Sequence, residues 1–257
     1  MKYPEVIYFE NELEDEFSKG GINPIKIDEN YRYEGGKFRN VSRAVFYHVL
    51  AKIIAGLYLP LGWGHKVYGR EKMRVYKSFF LYGNHTNPVA DALIPTMLNP
   101  KKSTYVIVHP DNVSMPVLGK ITPSLGAIPL PDDRKAYKNF LLYIDKLVEK
   151  KRVIMIYPEA HIWPFYTHIR PFKHDSFHYP VKYNTPVFCF TNTYQKRKLL
   201  KKPKIVTYVS GPFFPDESLS KPDRTKKLRD EVYDAMVNNS SYNTVELIKY
   251  IRKENEQ

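Results

Sequence analysis

From about residue 66 onward the chain alternates short apolar runs with stretches of helical periodicity, and that alternation confines it to an α/β architecture. Five runs read as strands: 78–82 (Ser-Phe-Phe-Leu-Tyr), 104–108 (Thr-Tyr-Val-Ile-Val), 153–157 (Val-Ile-Met-Ile-Tyr), 186–191 and 204–209. The clearest helix is predicted over 133–150, where Tyr137, Phe140, Leu141, Ile144, Leu147 and Val148 recur at three- and four-residue steps. A second is predicted over 222–238. Its Leu228, Val232, Ala235 and Met236 share a face, and Pro222 suits a first helical turn. No internal repeat or low-complexity tract interrupts the pattern, and 257 residues suffice for one sizeable core.

Composition narrows the partners. A formal charge of +13 points to something polyanionic: nucleic acid, anionic lipid headgroups or a phosphorylated substrate. Twenty-one tyrosines and an aromatic share of 14% suit a protein working where water meets hydrocarbon. The single Cys189 excludes a disulfide framework, so a reducing compartment is expected, and the N-terminus lacks the pattern of a signal peptide.

Residues 1–64 are expected to form an N-terminal arm followed by an apolar, membrane-associating helix, with a catalytic domain and C-terminal helix over 65–257. Residues 1–37, acidic at Glu10, Glu12, Glu14, Asp15 and Glu16, read as a peripheral arm. Val41 through Leu61 is the most continuously apolar stretch, about 20 residues, and just long enough to cross a bilayer. Basic residues flank it on both sides (Arg32, Lys37, Arg39 and Arg43 before, Lys66, Arg70, Lys72 and Arg74 after), which one crossing cannot satisfy, and Lys52 sits near its middle. The preferred reading is an interfacial helix, ahead of a buried core helix and a true span. The run Lys196-Arg197-Lys198 with Lys201, Lys202 and Lys204 adds attraction to anionic lipid.

The chemistry starts at Gly83-Asn84-His85-Thr86-Asn87-Pro88-Val89-Ala90-Asp91. A strand ends near Tyr82, and Asn87-Pro88 is a helix start: a capping side chain followed by a residue with φ already set. His85 then lies in the strand-to-helix turn and Asp91 in the first turns of the helix. Asp91 there can accept the Nδ1 proton of His85, leaving Nε2 to take a proton from a bound alcohol. The bland alternative is a turn-capping His85 and an Asp91 that favours only the helix N-terminus.

Gly69-Arg70-Glu71-Lys72 followed by a hydrophobic strand, Asn84-His85 and Asp91 resembles the opening block of the PlsC-like glycerolipid acyltransferases. Met115-Pro116-Val117-Leu118-Gly119 and Leu125-Gly126-Ala127-Ile128-Pro129-Leu130 are similar to that family's second block. Tyr157-Pro158-Glu159-Ala160 resembles the third, and Arg170-Pro171-Phe172-Lys173, Phe177 and Thr185-Pro186-Val187 the fourth. The blocks run in order over roughly 65–215. The resemblance implies a single acyltransferase domain with a mixed, mostly parallel central sheet flanked by helices. It also implies transfer of a fatty acyl group from acyl-CoA or acyl carrier protein to a phosphate-bearing lipid acceptor, a lysophosphatidate-like molecule, at the cytoplasmic face of the cell membrane, with no cofactor. His85 is the expected base and Asp91 its orienting partner. Asn84, Thr86 and Glu159 are expected around the substrate, with Arg134, Arg170 and Lys173 as candidates for the acceptor phosphate and backbone N–H groups near the third block for the oxyanion.

This chain departs from the family pattern in four ways. Five residues, not four, separate His85 from Asp91. Ala160, His161 and Ile162 replace the usual third-block Gly, Thr and Arg. Arg134 falls about two residues late, and His109-Pro110-Asp111 fills the place of a lysine. His161, His168, His174 and His178 cluster in sequence without a His-Glu-x-x-His pattern, so no metal site is assigned. Two rivals stay open: a protein of this fold that binds lipid with weakened turnover or a non-phosphate acceptor, and a nucleic-acid-binding protein. The last is disfavoured because the basic residues are spread and no recognition motif is readable.

Overall fold

All five expected strands form, and they lie in one sheet. The computed structural model describes residues 5–17, 23–99 and 103–253. Among these, seven strands are ordered β2 (Lys66–Tyr68), β8 (Lys204–Phe213), β7 (Val187–Gln195), β3 (Phe79–Gly83), β6 (Val153–Ile156), β4 (Thr104–Val108) and β5 (Ala127–Pro129). From β7 to β5 every neighbour is parallel; β8 turns back antiparallel to β7, and β2 runs parallel to β8. The sheet is mixed and mostly parallel, with helices on both faces. Its central strands are buried throughout, so Phe79 and Leu81 enter one core while Phe80 and Tyr82 enter the other.

One core lies under α6 (Arg134–Glu149), α7 (His178–Tyr183) and α8 (Lys221–Ser240). Asp133 caps α6 by accepting the N–H groups of Lys135 and Ala136, which sets the start the periodicity predicted. Ser220 caps α8 and Pro222 sits in its first turn. Shorter helices α4 (Asp111–Ser114) and α5 (Leu118–Leu125) bridge β4 to β5.

The other core lies under α3 (Ala90–Leu98) and the apolar segment. That segment is one helical rod made of α1 (Lys37–Val45), a π-helical stretch Phe46–Ala51, α2 (Lys52–Leu57) and a second π-helical stretch Tyr58–Gly62. Tyr47, Ala55, Leu59 and Trp63 face inward and are buried, while Val41, Val45, Val49, Ile53, Leu57 and Leu61 face out and are exposed. Val41–Gly62 is long and apolar enough to cross a membrane by length and composition.

The described part of the leader is packed, where a peripheral arm was expected. β1 (Glu5–Phe9) pairs in parallel with β9 (Ile248–Arg252), and Ile27 and Tyr33 belong to the α6 core. The Tyr33 hydroxyl donates to the carbonyl of Pro129 at 3.1 Å. Isolated apolar residues in an acidic, extended segment give no periodicity from which such docking can be read.

Candidate active site

β3 ends at Gly83, where the ring of Phe190 leaves no room for a side chain: a Cβ there would lie 2.2 Å from it. The chain then turns through Asn84, His85 and Thr86 before α3. Asn87 caps this turn as its sequence suggested, its side-chain oxygen accepting from the N–H of Ala90 at 2.9 Å.

Within the turn, Asp91 Oδ2 lies 2.9 Å from His85 Nδ1. The same oxygen accepts the backbone N–H groups of Thr86 and Asn87, each at 2.8 Å. These two bonds fold the connection back on the carboxylate, which is how five intervening residues still bring the pair together. Asn192 Nδ2 donates to the second oxygen, Oδ1, at 3.1 Å. Asp91 is buried, with donors on both oxygens, whereas the His85 side chain is one-fifth exposed (20%). No described residue bonds to His85 Nε2, which leaves that nitrogen for a ligand.

Tyr157, at the end of β6, lies flat against the imidazole, with ring centroids 4.1 Å apart and planes 12° from parallel. Its hydroxyl donates to the Asp91 carbonyl at 2.6 Å, and burial pushes its ionisation well above the usual phenol range, with the Asp91 charge adding to the effect. The imidazole is therefore held by Asp91 at its Nδ1 edge and by Tyr157 across one face.

Behind Asp91 runs a chain of polar groups. Thr207 Oγ1 donates to Asn192 Oδ1 at 2.6 Å and lies 2.8 Å from His65 Nε2. Because the one hydroxyl proton of Thr207 goes to Asn192, its oxygen accepts from His65, so His65 carries its proton on Nε2. Burial pushes His65 down to about 4, which keeps this ring neutral at physiological pH. His65, Thr207 and Asn192 were not among the expected site residues. The available signal was Thr191-Asn192-Thr193, a polar triplet extending an otherwise apolar strand.

Glu159 and Arg170 are both buried. The carboxylate accepts the His85 N–H at 3.0 Å and the Arg170 N–H at 3.2 Å, and lies 3.6 Å from the guanidinium. Burial pushes the Glu159 carboxyl up, against the pull of Arg170 and the two N–H groups. Arg170 also donates to the carbonyls of Glu12, Glu159 and His161 and covers the Trp163 ring at 4.9 Å. It was expected to face an acceptor phosphate; in the structure its two terminal nitrogens donate inside the protein and its Nε is buried with no hydrogen-bond partner among the described residues.

The other expected contacts divide. Asn84 is buried and bridges to the Asn192 backbone through two bonds, at 3.0 and 2.8 Å, while buried Thr86 meets the Tyr194 hydroxyl at 3.0 Å. Both were expected to touch substrate, and both are occupied in fixing the turn. Arg134 is exposed on the first turn of α6, where it lines a shallow cavity of about 450 Å³ with Lys26, Asp28, Glu29, Asp133 and Lys135. Neither His85 nor Asp91 lines that cavity. Lys173 is exposed. The third-block N–H groups of Ala160 and His161 bond within their own turn, and that of Trp163 bonds to the carbonyl of His85. No three metal-ligating side chains converge among the described residues.

A family model described as Acyltransferase matches residues 64–191, the span from the end of the apolar helix into β7. Residues 64–191 belong to that acyltransferase family. Among solved structures, it resembles the 1-acyl-sn-glycerophosphate (LPA) acyltransferase PlsC from Thermotoga maritima, with a TM-score of 0.58 and 16% identity over 83% of this chain and 86% of that one. At that identity the likeness establishes a shared fold. A comparison with curated protein sequences gives no match. As an acyltransferase of this family, the chain acts on an acyl donor and a lipid acceptor.

Proposed function

We propose that this acyltransferase moves a fatty acyl group from the thioester of acyl-CoA or acyl carrier protein to a hydroxyl of a phosphate-bearing lipid, with His85 as general base. The observation that carries the reading is the His85–Asp91 pair at 2.9 Å, with Nε2 unbonded in a partly exposed turn. Nε2 takes the acceptor hydroxyl proton as its oxygen attacks the thioester carbonyl, and the imidazolium that forms is stabilised by the Asp91 carboxylate. Collapse of the tetrahedral intermediate breaks the C–S bond, and Nε2–H returns the proton to the departing thiolate. No enzyme nucleophile is required. Asn84, Thr86 and Glu159 serve in this reading as the residues that hold the turn.

The lysophosphatidate named for the similar Thermotoga maritima protein is the first acceptor to test. An acceptor without phosphate is the second reading, favoured by the burial of Arg170. We assign the protein to the cytoplasmic face of the membrane, peripheral or monotopic, on the strength of the exposed apolar stripe and a thiol chemistry suited to a reducing compartment.

Thiol release, measured with acyl-CoA and acyl carrier protein against lysophospholipids and glycerol phosphates, tests the assignment. His85→Ala is expected to lower kcat by roughly two orders of magnitude or more while leaving the circular dichroism spectrum unchanged. Turnover at the wild-type rate in that variant would remove His85 from the mechanism.

A further inference from the structure

We propose that the tip of the β7–β8 hairpin is a second membrane contact, in which Leu199 and Leu200 enter the lipid interface and the surrounding cations meet anionic headgroups. The proposal rests on the membrane-surface reading above, and it adds a part of the molecule far in sequence from the apolar helix.

The tip reads Lys196-Arg197-Lys198-Leu199-Leu200-Lys201-Lys202-Pro203-Lys204: six cations, no acid and two leucines. Leu199 is 96% exposed and Leu200 57%, so neither is held by the protein's own core. Two bare leucines ringed by lysine match a surface that is apolar inside and anionic at its boundary. A single-stranded nucleic acid would use the cations but would be met by aromatic stacking, which the tip does not offer.

Its place in the fold strengthens the case. β7 pairs with β3 so that Gly83 lies opposite Phe190, and β7 continues to Gln195. Five further residues carry the hairpin roughly 17 Å past the end of β3. It therefore projects from the same sheet edge at which His85 sits. β2 is registered with Lys66 opposite Val206, which brings the end of the apolar helix to that edge as well. There Lys202 Nζ lies 3.8 Å from the centroid of the Trp63 ring, and Arg197 donates to the Gly62 carbonyl at 3.5 Å. Leu61, 77% exposed, closes the helix's outward stripe beside this contact. The helix end, the hairpin tip and the His85 turn thus share one edge, and a bilayer touching the first two lies on the side from which a lipid acceptor would reach the third.

The test places an environment-sensitive fluorophore on a Leu199→Cys variant of the full chain. Cys189 is buried and its thiol is pushed up to about 12, so labelling is confined to the tip. With phosphatidylcholine vesicles containing phosphatidylglycerol, emission is expected to shift to the blue and to be quenched by brominated lipid. A Leu199→Ser, Leu200→Ser variant is expected to bind these vesicles roughly tenfold or more weakly, with unchanged thiol release on soluble substrates. Lys196→Gln, Lys198→Gln and Lys201→Gln together are expected to abolish the preference over pure phosphatidylcholine. A wild-type protein that binds vesicles while the label stays unshifted and the serine variant binds equally overturns the hairpin contact; loss confined to Leu57→Ser, Leu61→Ser would assign all binding to the helix. If the wild type binds neither vesicle, the membrane reading falls and this proposal with it, while thiol release still judges the dyad.

Discussion

Arg170 and Glu159 are both withdrawn from water, and neither can be changed alone without leaving a buried charge or polar group unpaired. Removing one partner of such a pair typically costs about 3–5 kcal/mol. Arg170→Ala is therefore expected to lower stability by about that amount in urea denaturation. Arg170→Lys should recover little, because an ammonium cannot reproduce a fork that spans the carbonyls of Glu12, Glu159 and His161. A variant with intact stability and a raised acceptor KM would instead return Arg170 to the phosphate site. Sequence could not separate these roles, since the burial of Arg170 depends on Trp163 and on the leader's Glu12, 158 residues away. The His85–Asp91 contact was legible for the opposite reason. His85 and Asp91 belong to one strand–turn–helix unit, whose local capping and turn chemistry decide where both side chains point. Asn192, which completes the Asp91 environment, arrives from 101 residues away and left only a polar triplet as its trace.

The apolar rod shows how an element can satisfy two demands at once. One row of its outward residues, Val41, Val45, Val49, Ile53, Leu57 and Leu61, recurs every four positions with Leu50 and Ile54 exposed beside it, a spacing that would drift around a regular helix of 3.6 residues per turn. The π-helical stretches at Phe46–Ala51 and Tyr58–Gly62 widen the repeat, so that the stripe stays on one side while Tyr47, Ala55, Leu59 and Trp63 stay on the other. The run's length and apolarity were readable in sequence; its two-sidedness was not, because a nearly uniform apolar run carries little moment to read. His65 follows directly from the rod and carries its own pH signature. Its folded-state pKa, about 4, lies below the unfolded value of 6.5, so between these values the unfolded chain binds the extra proton. Stability from this group is fully present above pH 6.5 and is lost as pH falls toward 4, by on the order of 3 kcal/mol. Thermal melts from pH 7 to pH 4.5 are expected to fall less steeply for His65→Gln, whose amide can still donate to Thr207. Parallel wild-type and variant curves would mean that His65 does not titrate across this range.

At the scale of the whole molecule, strand order decides which residues can meet at one reacting centre. The alternation in sequence foretold the strands but not their sequence across the sheet, which depends on pairings between distant segments. That order puts β6 and β4 between β3, which carries His85, and β5, which leads to Arg134. Three strand spacings separate them by roughly 14 Å in the plane of the sheet. In a small phosphorylated acceptor the reacting hydroxyl and the phosphate are only a few bonds of about 1.5 Å apart. An acceptor oxygen at His85 Nε2 would thus leave its phosphate well short of β5, and the surroundings of Arg134 balance its charge, since Asp28, Glu29 and Asp133 share its cavity with Lys26 and Lys135. Exposed charges in such mixed company contribute about 0–1 kcal/mol. Arg134→Ala is accordingly expected to change kcat/KM for a phosphorylated acceptor by no more than about fivefold, with any loss fading at high salt. The measurement is acceptor-dependent thiol release at two ionic strengths, with donor concentration saturating. A loss of tenfold or more that persists in salt would bring the acceptor phosphate to Arg134 after all, and would require the segment between β5 and α6 to fold toward β3 when substrate binds.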